Sequence, residues 1–191
     1  GIDGSGKTTQ INQLSKWLNE SDLIPKNNKL IVTREPGGTQ LGQSIRSLLL
    51  DISREKKPDS ITELLLYAAD RAQHVNEIIR PSLNKGDWVI SDRFCGSTLA
   101  YQGYGRKLDI KLIKKLEAIA TQGISPDITF LLDIPVDESI KRRMNREEDR
   151  MEKEGREFLS QVSLGFKTLS EDNKWKRISA LKSKEDIISE I

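Results

Sequence analysis

The hydrophobic positions fall into two kinds of segment that alternate along the chain. Short apolar runs without an alternating pattern are typical of strands buried on both faces of a parallel sheet. Such runs occupy residues 30–33, 88–91, 128–132 and, more weakly, 176–180. The pattern therefore predicts four strands.

Between these runs, apolar side chains recur every three or four positions, which is the spacing of one face of an α-helix. The five stripes are Ile11, Leu14 and Leu18; Leu41, Ile45, Leu48 and Leu49; Ile61, Leu64, Ala68, Ala72, Val75 and Ile79; Leu112, Leu116 and Ile119; and Leu159, Val162, Phe166 and Leu169. The third stripe is predicted to stop at Pro81, because proline lacks the N–H that continues a helix.

Strands that alternate with helices predict right-handed βαβ units and an α/β fold, in which helices cover both faces of an open parallel sheet. Ligands of such sheets bind at the carboxyl ends of the strands. The length of 191 residues suits one domain with its own core, so we expect a single domain over residues 1–191.

Composition narrows the classes of function. The 31 basic and 29 acidic side chains give a formal charge of +2, which argues against a protein that coats nucleic acid or anionic membrane. With one cysteine, Cys95, and one histidine, His74, a disulfide framework is excluded and a metal held by several His or Cys ligands is disfavoured. No apolar run approaches the roughly 18–20 residues of a membrane span. A reducing cytoplasm is the expected location.

Residues 1–8 read GIDGSGKT and match the phosphate-binding pattern G-x-x-x-x-G-K-[ST]. Glycines let successive backbone N–H groups turn toward one anion, and the following helix points its positive end at the phosphates. Lys7 can reach the outer phosphates, and the Thr8 hydroxyl can bind Mg²⁺. A Gly/Ser turn that only caps a helix is disfavoured, because the complete pattern opens an amphipathic helix. The predicted ATP-binding residues are Gly1, Ile2, Asp3, Gly4, Ser5, Gly6, Lys7, Thr8 and Thr9.

Such a loop predicts the P-loop NTPase fold, a three-layer α/β/α arrangement in which a strand precedes the loop. We therefore expect a first strand before Gly1, outside the sequence. Residues 84–87 read NKGD, which GTPases use to recognise guanine after a strand. Here the tetrapeptide precedes the predicted strand 88–91, so we interpret it as a polar turn.

Four arginines lie where strands end or helices face the expected cleft: Arg34, Arg46, Arg71 and Arg93. A guanidinium can bind two phosphate oxygens at once, which suits an acceptor phosphate. Asp92 could place a carboxylate near Mg²⁺ beside Arg93 at the transferring phosphoryl group. For any arginine taken alone, a solvated surface charge remains the simpler interpretation.

Tyr67, Arg71 and His74 are spaced four and three apart and share a helix face. An aromatic ring above an arginine suits a flat base beside a held phosphate. A half-buried tyrosine at a helix edge explains the pattern equally well.

Several ordered motifs together resemble those of bacterial thymidylate kinases, which are P-loop nucleoside monophosphate kinases. The motifs are DGSGKTT at 3–9, TREPGGT at 33–39, AADRAQH at 68–74, DRF at 92–94 with STLAYQG at 97–103, and PDITFLLD at 126–133. The resemblance covers nearly the whole chain. It implies an enzyme that makes dTDP and ADP from dTMP and ATP with Mg²⁺, in dTTP biosynthesis, and that works as a homodimer.

The resemblance also implies the roles of individual residues at the acceptor side. Tyr67 would stack on thymine, Arg71 would contact the base, Thr98 and Gln102 would lie at the base edge, Arg46 and Arg93 would bind the dTMP phosphate, Asp3 would lie near the 3′-hydroxyl, and Tyr101 would pack under the sugar and disfavour a 2′-hydroxyl. Glu35 would be an acid at the nucleotide and Mg²⁺ site, and the predicted metal positions are therefore Thr8, Glu35 and Asp92. The family often has tyrosine where Phe94 stands, so a hydroxyl is lost there, with no expected effect on the reaction.

Residues 141–156 carry seven basic and five acidic side chains. A solvated helix with i,i+4 ion pairs would explain this composition. The functional interpretation is a helical lid over residues 141–157 that excludes water from ATP and supplies positive charge, because the phosphate loop has no arginine. In the resembling family, basic residues lie around a D-R-x-E segment, here residues 149–152. We predict Lys7, Arg93, Arg146 and Arg150 as the catalytic residues, with Arg142 as the next lid candidate.

Two other functions are compatible with the phosphate loop. One is a P-loop kinase for another nucleotide or a nucleoside, which the set Tyr67, Arg71, Thr98 and Gln102 disfavours. The other is a regulatory NTP-binding switch, which the arginine-rich acceptor side disfavours. The sequence thus predicts a dTMP kinase whose partners are ATP and dTMP, and neither nucleic acid nor membrane.

Overall fold

The computed structural model describes residues 1–53, 57–144 and 149–191. Its strands are β1 Leu30–Arg34, β2 Trp88–Asp92, β3 Thr129–Asp133 and β4 Trp175–Ser179. Its α-helices are α1 Lys7–Glu20, α2 Gln40–Leu50, α3 Ser60–His74, α4 Arg80–Asn84, α5 Cys95–Thr98, α6 Ile110–Thr121, α7 Val136–Arg143, α8 Arg156–Leu169 and α9 Lys184–Glu190. Wider π-helical turns occupy Val75–Ile79 and Leu99–Gly105, and a 3₁₀ turn occupies Glu152–Glu154. The predicted α/β alternation is confirmed.

The strands form two parallel pairs. In one pair Leu30 of β1 lies opposite Trp88 of β2, and in the other Thr129 of β3 lies opposite Trp175 of β4. Within the described residues no backbone ladder joins the two pairs, so the expected single sheet is seen as two halves. All four strands are parallel to their partners, as βαβ connections require.

Gly1 lies between the carboxyl ends of the two pairs. Arg93, just after β2, donates to the Gly1 carbonyl at 3.5 Å. On the other side, a Cβ at Gly1 would lie only 2.0 Å from the carbonyl oxygen of Leu132 in β3. The phosphate loop is therefore placed at the strand ends, where α/β proteins bind their ligands.

A hydrophobic core packs β3 and β4 against α8, α9 and the π-helical turn that follows α5. Its buried residues include Ile2, Ala100, Tyr101, Leu131, Leu132, Ile134, Met151, Val162, Phe166, Ile178, Ala180 and Ile187. Because Ile2 and Tyr101 belong to segments predicted to bind nucleotide, this core also fixes two walls of the expected site.

Two sequence predictions about helices are wrong in detail. The helix expected to stop at Pro81 continues to Asn84, because the wide turn Val75–Ile79 precedes α4 and Pro81 lies in its first turn, where a missing N–H is tolerated. In α6 the buried face contains Ile113 and Ala120, whereas the predicted Leu112 and Ile119 are exposed.

Residues 84–87 form the predicted turn, with Gly86 at φ 83° between α4 and β2. None of the helices in the described ranges has the length and apolar character needed to cross a bilayer.

Candidate functional site

The phosphate loop is built by glycine conformations that other residues rarely adopt. Gly4 has φ 77° and Gly6 has φ 87°, in the left-handed region that favours glycine. Helix α1 begins at Lys7, and Gly6 contributes no side-chain cap to it. The first N–H groups of the helix can therefore face an anion, and the helix dipole adds to the attraction.

Lys7 lies folded over this loop. Its Nζ donates to the carbonyls of Gly1 at 3.3 Å and Ile2 at 3.1 Å, and it lies 3.4 Å from Asp3 Oδ1. Burial, and then the nearby Arg93, lower the pKa of Lys7, while Asp3 and Asp92 oppose that shift. An incoming phosphate would replace the loop carbonyls as the partner of this ammonium.

Asp3 connects the phosphate loop to the opposite side of the cleft. Its Oδ1 accepts from Arg93 Nη2 at 2.6 Å, and its Oδ2 accepts from the Tyr101 hydroxyl at 3.2 Å. Burial acts to raise the pKa of Asp3, but Arg93 and Lys7 outweigh it and hold that pKa well below its usual range. Arg93 itself has φ 74°, an uncommon backbone conformation for a side-chain-bearing residue that often marks a functional position.

A cleft opens beside this cluster and holds about 540 Å³ of empty space, part of it open to solvent. The lining residues are Asp3, Glu35, Pro36, Arg46, Leu50, Tyr67, Arg71, Arg93, Ser97, Thr98, Tyr101, Gln102, Asp149 and Met151. Every residue predicted to bind the substrate is among them, so segments far apart in sequence meet at one cavity.

The first turn of α3 is capped by Asp59, whose carboxylate accepts from the N–H groups of Ile61 and Thr62. This fixes where Tyr67 and Arg71 stand along the helix. Tyr67 is half-buried at the cleft wall. Arg46, from α2, donates to the Pro36 carbonyl at 3.1 Å on the same wall.

Arg71 is fully buried, and its guanidinium is held by two carboxylates. Glu35 Oε2 accepts from Nε at 2.8 Å and lies 2.6 Å from Nη2, and Glu117 Oε1 accepts from Nη1 at 2.5 Å. Nη1 also donates to Thr98 Oγ1 at 2.9 Å, and the guanidinium lies 5.3 Å from the centre of the Phe94 ring. Burial disfavours the charged guanidinium, but the two carboxylates outweigh it and raise the pKa of Arg71 above its usual value.

Glu35 lines the cleft, and protein groups engage both of its carboxylate oxygens. Its Oε1 lies 2.8 Å from Nδ1 of His74, and its Oε2 is taken by Arg71. His74 Nε2 in turn lies 2.7 Å from Thr33 Oγ1. Because both of its oxygens are engaged in this buried network, Glu35 supports Arg71 and does not suit the role of a Mg²⁺ ligand.

The other two predicted metal positions do fit Mg²⁺. Thr8 is exposed in the first turn of α1, and Asp92 Oδ1 is buried without a hydrogen-bond partner in the part of the chain that is described. Asp92 also acts electrostatically on Lys7, so it lies near the loop. Within the described ranges no three His, Cys, Asp or Glu side chains converge as a metal cage. A hydroxyl and a carboxylate are enough for Mg²⁺ that arrives with phosphate oxygens and water.

Glu63 of α3 is completely buried and accepts hydrogen bonds from three residues, Gln102, Arg106 and Arg150. Its Oε1 accepts from Gln102 Nε2 at 2.8 Å and from Arg106 Nε at 3.2 Å. Its Oε2 accepts from Arg106 Nη2 at 3.1 Å and from Arg150 Nη2 at 2.5 Å. Arg106 Nη2 also donates to Glu154 at 2.8 Å.

The predicted catalytic arginines of the lid lie in different places. Arg150 is buried, and besides Glu63 it donates from Nε to the Leu49 carbonyl at 2.5 Å, so in this arrangement it braces the acceptor side of the cleft. Arg142 is half-exposed on α7 and donates from Nη1 to the Gly4 carbonyl of the phosphate loop at 3.4 Å. Arg146 lies outside the described residues.

Sequence reasoning missed the supporting carboxylates Glu63 and Glu117, as well as the cleft residues Pro36, Leu50, Ser97, Asp149 and Met151. Pro36, Ser97, Asp149 and Met151 lie within the motifs that resemble those of the family, which was the available signal for them. The sequence did contain one indication that Glu63 and Glu117 are buried: each is an acidic residue on the apolar face of an amphipathic helix. Such a side chain is buried only when it is paired.

Asp70 gives the site region a pH dependence. It is buried beside Gly37, whose N–H donates to Oδ1 at 3.0 Å, and its Oδ2 has no partner within the described residues. Burial raises the pKa of Asp70 to about 6; the Gly37 N–H, His74 and Arg71 oppose this shift, and Glu35 adds to it. Because the folded-state pKa is raised, the resulting stabilisation is complete below about pH 4 and is lost as the pH rises through about 6.

We expect Asp70→Asn to remove this pH dependence. Between pH 4.5 and pH 8 the wild-type protein should lose about 2 kcal/mol of unfolding free energy relative to the variant, since each pKa unit corresponds to about 1.4 kcal/mol. Urea unfolding of both proteins at several pH values measures the difference. Parallel pH profiles would show that Asp70 titrates normally.

The family model described as Thymidylate kinase matches residues 1–191. A thymidylate kinase of Prochlorococcus marinus (strain NATL1A) is 83% identical over 191 residues, which cover 100% of this chain and 90% of that protein. One from Synechococcus sp. (strain CC9902) is 58% identical over 183 residues, 96% of this chain and 88% of that protein.

A solved structure extends the similarity to the backbone. The crystal structure of thymidylate kinase from Ehrlichia chaffeensis matches with a TM-score of 0.78 and 36% sequence identity. The match covers 100% of this chain and 91% of that one. The fold described above is therefore shared with that protein.

Proposed function

The chain belongs to the thymidylate kinase family and is a phosphotransferase that makes dTDP and ADP from dTMP and ATP, in dTTP biosynthesis; we propose that the transfer takes place where the cleft meets the phosphate loop. The observation that carries this proposal is the cluster of Lys7, Asp3 and Arg93. Asp3 belongs to the loop and also lines the cleft, so a nucleotide on each side would meet at this carboxylate.

The acceptor is proposed to lie in the cleft in a defined orientation. Arg46 and Arg93 would bind its phosphate, and Tyr67 would stack on thymine. Arg71, Thr98 and Gln102 would contact the base edge, and Tyr101 would lie under the sugar close to Asp3. This orientation is supported by the half-buried Arg46 and Arg93 at one end of the cleft. Buried polar side chains, Arg71, Thr98 and Gln102, lie at the other end.

Phosphoryl transfer needs positioning and charge neutralisation more than covalent help from the protein. An oxygen of the dTMP phosphate is already anionic, so it attacks the γ-phosphorus without a general base while the bond to the β-phosphate oxygen breaks in line. Lys7 and Arg93, both largely buried, would neutralise the transferring group. Asp3 would hold Arg93 in place by their 2.6 Å contact.

We also propose that ATP arrives with Mg²⁺ and that Thr8 and Asp92 hold the ion. Bound there, the ion would neutralise phosphate charge. The exposed hydroxyl of Thr8 and the unpartnered Asp92 oxygen support this assignment, and Glu35 is left out of it.

Residues 141–157 are proposed as the lid of a single kinase domain that spans residues 1–191. Arg142 is the lid arginine for which contact with the phosphate loop is described, which makes it a catalytic candidate beside Arg146. Arg150 would reach the γ-phosphate only by leaving Glu63. We therefore rank its role in supporting the cleft above its predicted role in catalysis.

A homodimer in the cytoplasm is the proposed form of the enzyme. The neighbouring helices α2, α3 and α6 each expose two large apolar side chains, which suits a protein interface. These are Leu41 and Leu48, Ile61 and Leu65, and Leu112 and Ile119. The free thiol of Cys95 is compatible with a reducing compartment, and the near-neutral charge favours nucleotides over nucleic acid or membrane as partners.

The function is tested by incubating the purified protein with ATP and Mg²⁺ and a panel of nucleoside monophosphates. We expect dTDP as the fastest-formed product, and no product after chelation of the metal with EDTA. A faster reaction with another monophosphate would indicate a kinase of different specificity. Release of phosphate without a diphosphate product would indicate an NTP-binding switch or an ATPase.

A further inference from the structure

Glu63 holds one end of the Gln102 side-chain amide. Gln102 is buried and lines the cleft, and its Nε2 donates to Glu63 Oε1 at 2.8 Å. A carboxylate can only accept hydrogen bonds, so the amide must turn its NH₂ group toward Glu63. The amide oxygen lies at the opposite end of the group from this NH₂, so Gln102 can meet a ligand in the cleft as an acceptor.

Glu63 acts as an acceptor in every hydrogen bond described for its two carboxylate oxygens. Arg106 and Arg150 both donate to it, and their guanidiniums are always charged. The carboxylate is fully buried between α3 and the segments that carry these arginines. Its four hydrogen bonds leave little freedom to rotate, so the orientation of the Gln102 amide is fixed before a ligand binds.

A fixed acceptor distinguishes the pyrimidine bases. Thymine and uracil present a donor, N3–H, next to the O4 acceptor, whereas cytosine presents an acceptor, N3, next to an amino donor. Arg71 on the same cleft wall can only donate. An acceptor at Gln102 beside a donor at Arg71 therefore complements thymine or uracil, and it opposes cytosine at both positions.

We propose that Glu63 is a specificity-determining positioning residue, which excludes cytosine nucleotides by holding the Gln102 amide with its oxygen toward the base. The inference rests on the proposed binding of the dTMP base at Gln102 and Arg71. Glu63 does not touch the substrate itself, and it acts through Gln102.

The test measures kcat/KM of wild type and Glu63→Gln for dTMP, dUMP and dCMP. A glutamine side chain at position 63 can both donate and accept, so the Gln102 amide becomes free to flip. We expect the dCMP to dTMP ratio of kcat/KM to rise about tenfold, with Arg71 still opposing cytosine. The dUMP to dTMP ratio should stay within about twofold, because these bases share the same edge. An unchanged dCMP ratio, or an equal change in both ratios, would overturn the proposal.

Glu154→Gln is the matched control, because it makes the same chemical change at the other carboxylate bound to Arg106. Glu154 does not line the cleft, so both ratios should remain those of wild type. A shift in the dCMP ratio as large as that of Glu63→Gln would assign the effect to the charge network and overturn the role of the amide.

The exchanged pair Glu63→Gln/Gln102→Glu provides a rescue that does not depend on the single variant folding. The carboxylate that this exchange places on the cleft wall could only accept, so wild-type discrimination against dCMP should be restored; failure to restore it would overturn the proposal. Gln102→Leu separates the inference from its premise. If Gln102→Leu keeps full discrimination against dCMP, the base does not lie at Gln102 and the premise is wrong. If Gln102→Leu loses discrimination against dCMP and Glu63→Gln does not, the premise stands and only the role of Glu63 is refuted.

Discussion

Replacing Lys7 by alanine is expected to lower kcat for dTDP formation by about a thousandfold, in line with the loss of one preorganised charge at a transition state. The Lys7 ammonium donates to two loop carbonyls and lies against Asp3. Without Lys7, one cation fewer would neutralise the negative charge of the transferring phosphoryl group, which would then be repelled more strongly by the Asp3 carboxylate. Steady-state assays at saturating ATP and dTMP measure the change.

Lys16→Ala is the control for this variant, because Lys16 lies on the same helix with its side chain 77% exposed. An exposed lysine contributes little to stability or charge at the site, so kcat should remain that of wild type. Circular dichroism checks that both variants are folded. A Lys7→Ala protein that is folded and retains kcat would remove Lys7 from the catalytic residues.

The strands and helices could be predicted because each has a periodic pattern that depends on local sequence alone. The runs at 30–33 and 88–91 became β1 and β2, and the stripe that starts at Leu159 became α8. Pro81 was misjudged because a π-helical turn, which no local pattern announces, changed the position of proline within the helix. The stripe on α6 was misjudged because Glu117, a paired acid, occupies a place on its buried face.

The candidate site was assembled from sequence motifs, and the residues predicted to bind the substrate line one cleft because the strand ends converge. The partners of these residues could not be predicted in the same way. Glu35 pairs with Arg71 across 36 positions, and Arg150 pairs with Glu63 across 87. Such pairs depend on how helices pack, so the sequence does not show that Glu35 and Arg150 are engaged in buried ion pairs.

The same pairing gives Arg71 two roles, and Arg71→Ala should affect both. Buried Glu35 and Glu117 would each lose the guanidinium that compensates their charge, and breaking a buried ion pair costs about 3–5 kcal/mol. The dissociation constant for dTMP should rise about a hundredfold with the loss of a charged donor to the base, while that for ATP changes little. Urea unfolding and calorimetric titration with each nucleotide measure the two effects.

The two roles can be separated by adding Glu117→Gln to Arg71→Ala. The double variant removes one uncompensated carboxylate, so it should recover part of the lost stability. It should not recover dTMP binding, because the donor to the base is still missing. Arg156→Ala is the control, since this arginine forms an exposed pair with Asp137 and should change neither property. If dTMP and ATP binding weaken equally, or if dTMP binding returns with stability, Arg71 supports the fold and does not contact the base.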